Sequence, residues 1–145
     1  MIHLLDANLL IAVLDPHHAH HQIAHRWIGS FRGSLKWATC PLTENAFVRI
    51  TGNPTYPNSF GSTMYALDKL KENCSQPEHV FWPDELSIRQ TELWSESGIA
   101  NTQQITDCYL LALAVKNGGK LASLDRHIPA HLVRGGAKAL LLLPV

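Results

Sequence analysis

Four acidic residues stand where the chain passes from one predicted element to the next. Asp6 follows an apolar run at 2–5, Asp125 follows another at 121–124, and Glu44 and Asp107 fall in the first turns of predicted helices. Taken singly, each has a plain structural role. An acid between a strand and a helix can cap the helix, and a carboxylate in a first helical turn gains about 0.3–1 kcal/mol from the helix dipole. Taken together they allow more. In an open parallel sheet, ligands bind outside the carboxyl ends of the strands, where helices returning from that edge also begin. All four side chains can therefore converge from distant parts of the chain. Two ionised carboxylates ~4 Å apart repel by about 4 kcal/mol at an effective dielectric near 20. A fold that gathers several implies a neutralising cation, and an all-oxygen donor set selects Mg²⁺ or Mn²⁺. Such a site suits phosphoryl transfer, with one or two ions activating water and stabilising the leaving oxygen. No Ser-His-Asp or Cys-His arrangement competes with it.

The elements that must position these acids are readable from periodicity. Residues 2–5, 35–39, 79–82, 120–124 and 139–143 read as strands. Helical patterns cover 8–14, 18–31, a stretch from Pro41 through Ile50, 62–73, 84 to just before Gly98, and 106–115. Pro41 suits a first helical turn, Asp84 and Thr106 are predicted N-caps, and Gly118-Gly119 closes the last long helix. The segment 52–61, with two prolines, two glycines and two asparagines, is a predicted loop. Strands alternating with helices predict one α/β domain over 1–145, with a mostly parallel sheet covered on both faces.

Composition narrows the setting. Twelve basic residues balance twelve acidic ones, so no global field marks a polyanion binder. Charged residues are only 17% of the chain and apolar ones 46%, which points to exposed apolar area and hence to a protein partner or a homodimer. Three widely spaced cysteines suit neither a disulfide framework nor a zinc knuckle and read as reduced thiols. The start lacks the basic and long apolar stretches of a signal peptide, and no run approaches a membrane span. The expectation is a cytoplasmic protein.

Four short motifs, in order, resemble those of the PIN-domain ribonucleases, in particular the VapC toxins of toxin–antitoxin pairs. They are Leu4-Leu5-Asp6-Ala7-Asn8, Pro41-Leu42-Thr43-Glu44-Asn45 through Arg49, Thr106-Asp107 with its apolar helix and Gly118-Gly119, and Leu121-Ala122-Ser123-Leu124-Asp125-Arg126. The resemblance spans nearly the whole chain. It implies a PIN-like three-layer α/β/α sandwich and a Mg²⁺- or Mn²⁺-dependent endoribonuclease held inactive by a cognate, VapB-like antitoxin. By the same resemblance Asp6, Glu44, Asp107 and Asp125 are the catalytic, metal-binding acids. Asn8, Ser123 and Thr106 are polar supports that orient carboxylates or waters, and a homodimer is expected. Asn8 and Ser123 add no charge, so a tightly held second ion is not expected before substrate arrives.

Other residues carry weaker signals. Arg49 and Arg126 lie near proposed acids and can hold RNA phosphates in a forked geometry or pair with those acids. His17, His18, His20, His21 and His25 include i, i+4 pairs able to bind a cation, although a solvated helix start explains them more simply. Trp27 falls on an apolar helical face and reads as core or interface. The antitoxin groove is expected among the helices at 19–31 and 62–73. Two other functions compete. A haloacid-dehalogenase-like phosphohydrolase also begins with a strand ending in Asp, but it wants a second Asp where this chain has Asn8. A non-catalytic binding module would use the acids only as caps.

Overall fold

Short, mostly apolar runs without interior charge make strands that can be buried on both faces. The computed structural model describes residues 1–96, 98 and 100–145. Its strands are β1 (Ile2–Leu5), β2 (Lys36–Thr39), β3 (His79–Phe81), β4 (Lys120–Ser123) and β5 (Leu140–Leu142). They form one sheet in the order β3-β2-β1-β4-β5, with every neighbouring pair parallel. Alternation along a strand sends successive side chains to opposite faces. Leu4, Ala38 and Leu121 therefore join one apolar core, while Leu5, Trp37 and Ala122 join the other.

Helices α1 (Ala7–Leu14), α2 (His21–Gly29), α3 (Pro41–Thr51) and α4 (Thr63–Cys74) contribute to the second core. Helix α5 (Ile105–Lys116) and the single turn α6 (Gly136–Ala139) cover the first. This is the expected three-layer α/β/α sandwich, with a sheet that is wholly parallel. Pro41 opens α3, and the Ser62 hydroxyl caps α4 by accepting from the Tyr65 amide at 3.1 Å. Gly118, in the left-handed region at φ +65°, ends α5. At Gly119 a side chain would collide with the Ile2 carbonyl and the Trp82 ring, so only glycine admits the handover into β4 beside β1.

Two expectations are corrected. The described residues of this stretch, 84–96 and 98, do not form an α-helix; among them there is only a short 3₁₀ turn at Thr91–Leu93. Leu86, Leu93 and Trp94 pack on the α5 core as an irregular strap; they share a helical phase, but Arg89 and Gln90 interrupt that face with polar side chains. Asp84 caps nothing there and instead accepts a 2.6 Å hydrogen bond from the Tyr109 hydroxyl. Nor is Thr106 the cap of its helix. Helix α5 begins at Ile105 after Gln104, leaving Thr106 exposed in the first turn.

The histidine-rich stretch has a backbone role. A helix ends with carbonyls that lack partners inside the helix. The His21 ring donates through Nδ1 to the Ala12 carbonyl at 2.8 Å, and the His25 ring through Nε2 to the Val13 carbonyl at 3.0 Å. The i, i+4 pair on α2 thus completes the end of α1. Next to it lies Asp15, 1% exposed. Its carboxylate accepts from the Tyr56 hydroxyl at 2.6 Å, the Asn58 amide at 3.0 Å and the His17 backbone at 2.9 Å. Burial pushes this carboxyl up, but the three donors outweigh burial and hold it below the usual range. Among the described residues, no helix is long and apolar enough to cross a membrane.

Asp15 is therefore the knot between α1 and the loop after α3. Asp15→Asn places an amide N–H against a donor, and we expect it to lower unfolding free energy by about 1–3 kcal/mol. Urea unfolding at pH 7 measures this. The loss should shrink on acidification, because a depressed carboxyl contributes its stability above pH ~4 and loses it as pH falls.

Candidate metal centre

Strand order reverses between β1 and β4: β2 and β3 lie to one side of β1, β4 and β5 to the other. Such a reversal splays the connections apart and opens a crevice at the carboxyl ends of the two strands. Asp6 leaves β1 at this point and Ser123 ends β4, two residues before Asp125. The Asp6 amide donates to the Ala122 carbonyl at 3.0 Å, which extends the ladder to the edge of the crevice.

Asp6 is buried, and both its oxygens are engaged. One accepts from the Ala7 amide at 2.7 Å, the local bond of a helix cap. The other accepts from the fully buried Ser123 hydroxyl at 2.7 Å. The same hydroxyl oxygen accepts from the Asp125 amide at 3.0 Å, so Ser123 joins two of the acidic segments. Asp125 in turn accepts from the His127 amide at 2.8 Å, which fixes its turn.

Electrostatics brings in Asp107. Its carboxyl is pushed up to about 6, first by burial and then by the charges of Asp6 and Asp125. The Asp6 carboxyl is also raised, chiefly by burial and further by Asp125, against the opposing pull of its two hydrogen bonds. Among the described residues the ion pair found is Lys116–Glu85, well away from these acids, so neither lysine nor arginine neutralises the aspartates. The donor set is oxygen only. These features fit a hard divalent cation, which would lower the proton affinity of Asp107 and relieve the repulsion.

The other predicted residues fall outside that group. Glu44 is in the first turn of α3, at the end of the strand next to β1. Its carboxylate accepts a 2.6 Å hydrogen bond from the buried Thr39 hydroxyl and faces Cys74 and His79. Sequence reading passed over Thr39, Cys74 and His79. The only trace was spacing: Thr39 and Glu44 are five apart, as are Cys74 and His79. Asn8 and Thr106 are exposed, each in the first turn of its helix beside an aspartate. Arg126 is exposed, with only a 3.4 Å contact to the Val145 carbonyl, and Arg49 is exposed along the α3–α4 groove.

Comparison with known proteins supplies relatives for this arrangement. The chain is 37% identical over 137 residues to ribonuclease VapC44 of Mycobacterium tuberculosis, covering 93% of this chain and 94% of that protein. It is 38% identical over 125 residues to ribonuclease VapC39 of the same organism, covering 86% and 89%. Ribonuclease VapC29, also from that organism, is 37% identical over 129 residues, covering 89% of each. No family model matches the chain. Among solved structures, VapBC2 from Rickettsia felis, bound to a DNA fragment from its promoter, shares the fold at a TM-score of 0.60. That match covers 99% of this chain and 100% of the other at 13% identity.

The raised Asp107 carboxyl makes a prediction about stability. An unfolded aspartate titrates near 4, so between pH ~4 and ~6 the folded state holds more protons, and stability falls as pH rises through that window. In EDTA at pH 7.5, Asp107→Asn should therefore stabilise the fold, by about 1–2 kcal/mol after allowing for solvent screening. The gain should vanish near pH 4. Thermal melts at the two pH values test this; a variant less stable than the parent at pH 7.5 would contradict the mutual repulsion.

Proposed function

The chain belongs to the VapC ribonuclease family, and from that premise we propose that it is the toxin of a toxin–antitoxin pair, an endoribonuclease using a divalent cation held by Asp6, Asp107 and Asp125. The observation that carries the reading is the mutual repulsion of three carboxylates, with no salt bridge to them among the described residues, in the crevice where the sheet reverses. Mg²⁺ or Mn²⁺ is the ion that oxygen-only ligation favours. When bound, it supplies neutralising charge and an acidified water for attack on a phosphodiester.

The chain's own residues do the positioning. Ser123 fixes the Asp6 carboxylate through its hydroxyl and the start of the Asp125 turn through its oxygen. With both oxygens already accepting hydrogen bonds, Asp6 is oriented before any ligand arrives. Asp107, on the first turn of α5, has its carboxyl pushed up to about 6 by burial and by Asp6 and Asp125, and would ionise to help hold a cation there. Arg126, directly after Asp125 and weakly tethered, can reach a phosphate at the rim. Arg49 offers a second guanidinium along the α3–α4 groove. Asn8 and Thr106 stand at the mouth, where they can orient water. Glu44 serves as the fourth acid, at the rim and under the hold of Thr39, so its replacement should cost less than that of an aspartate.

A VapB-like antitoxin is the proposed partner, and the cytoplasm the proposed location. Exposed Met64 and Tyr65 on α4 give an apolar surface of the kind an antitoxin helix covers. A cavity of about 280 Å³ lies near the end of that helix, with Ile28, Leu35 and Trp37 in its walls and Asn73 and Gln76 at its rim. A homodimer is part of the same proposal.

Asp6→Asn should reduce RNA cleavage at least about a hundredfold, since losing a charged ligand exceeds the 10–100-fold typical of outer partners. The circular dichroism spectrum should stay unchanged. Ser123→Ala should lose about 10–100-fold through misorientation of Asp6. The wild-type chain should be inert in EDTA and recover with Mg²⁺ or Mn²⁺. End mapping of cellular RNA after brief expression reads the two variants, and RNA cleavage by the purified chain reads the metal dependence; cleavage that survives both EDTA and Asp6→Asn would overturn the reading.

A further inference from the structure

Beside the aspartates, at the rim where Glu44 stands, one side-chain cluster has the composition of a different kind of metal site. Glu44 from the start of α3, Cys74 from the end of α4 and His79 from the start of β3 present a carboxylate oxygen, a thiol sulfur and a ring nitrogen, all within 4.8 Å of one another. All three are partly buried, so the cluster is shielded yet reachable from solvent. The fully buried Thr39 hydroxyl lies among them. It donates to Glu44 at 2.6 Å and meets the His79 Nε2 at 2.7 Å. The Cys74 thiol is in no disulfide and also meets Thr39; burial, and then the Glu44 charge, push it up to about 11, a shift that a bound cation would reverse.

From this geometry we infer that Glu44, Cys74 and His79 form a binding site for a borderline-soft divalent cation of the Zn²⁺ class, beside the aspartate crevice, sharing Glu44 with its rim and using none of its three aspartates. Zinc takes sulfur at ~2.3 Å and nitrogen or oxygen at ~2.0–2.2 Å in tetrahedral array, which sets ligands roughly 3.4–3.8 Å apart. Ligand atoms at the 4.8 Å limit would have to close by up to about 1.4 Å to reach that array. Sulfur and imidazole reject Mg²⁺, while the mixed set suits Zn²⁺ or Co²⁺ with the fourth position left to water. Thr39 supplies the outer hydrogen bond that ligating carboxylates need, because it keeps its proton for Glu44 when His79 turns its lone pair to the ion. The three ligands come from three elements, so the ion would pin the start of α3 to the α4–β3 connection. Binding releases the thiol proton.

The histidines around α2 do not form an equivalent site. His21 and His25 spend the ring nitrogens that face α1 on the Ala12 and Val13 carbonyls, and no thiol lies among them.

Titration of the full chain with Co²⁺ in excess Mg²⁺ tests the assignment, since cobalt reports both sulfur ligation and tetrahedral geometry. The expected result is an intense near-ultraviolet thiolate-to-cobalt band with visible bands of a four-coordinate ion, displaced by one equivalent of Zn²⁺. Cys74→Ser should abolish the ultraviolet band, and His79→Gln should weaken binding by at least about tenfold. Asp107→Asn should leave both unchanged, which separates this site from the aspartate crevice. Circular dichroism checks that each variant folds. Absence of the band in the wild type, its survival in Cys74→Ser, or unweakened binding in His79→Gln would each overturn the site. Loss of the band in Asp107→Asn would overturn its independence.

Discussion

Three negative groups held in one another's field constrain the rest of this structure. Asp6, Asp107 and Asp125 come from the end of β1, the start of α5 and the turn after β4, and their repulsion works against the packing that unites them. That packing has to be strong. It is supplied by two apolar cores on either face of the sheet, with β1 at the centre contributing Leu4 to one and Leu5 to the other. The tie that converts the scaffold into a site is a single hydroxyl. Ser123 faces inward at the end of β4, donates to Asp6 and receives the amide of Asp125. Stability is given up locally for a pocket that attracts a cation, a trade common at functional sites.

Much of this was readable before any coordinates. Aliphatic runs without alternating charge announced buried parallel strands, and the placement of acids after such runs put them at the carboxyl edge. Pro41 and Gly118-Gly119 marked helix ends that the structure keeps. What escaped was decided by contacts remote in sequence. Nothing near Ala12 or Val13 says that their carbonyls need partners from α2, so the histidines looked like a polar surface or a ligand set. Nothing in residues 84–98 says that Tyr109 will claim the Asp84 carboxylate. Cap preferences are local and weak, and tertiary contacts override them.

Glu44 shows the same limit within the site. Its place in the first turn of α3 follows from Pro41, and so does its position at the sheet edge. Its direction depends on strand register. Trp37 pairs with His79 across β2 and β3, and Thr39 lies two residues beyond Trp37 on the same face. The Thr39 hydroxyl thereby sits between His79 and α3, where it captures the glutamate. Helix α4 then brings in Cys74 from another direction. Four residues meet through register and helix packing, and a single sequence encodes neither in a readable way.

The central position of β1 bears on when the pocket can exist. This strand is made first, yet one of its two neighbours, β4, is made more than a hundred residues later, and Asp6 finds its hydroxyl partner only at Ser123. While the chain is still emerging from the ribosome, β1 has an unpaired side and its acid has no companions. The crevice closes only once β4 and the turn at Asp125 have been released, so a chain stopped short of them carries Asp6 without the partners that orient it.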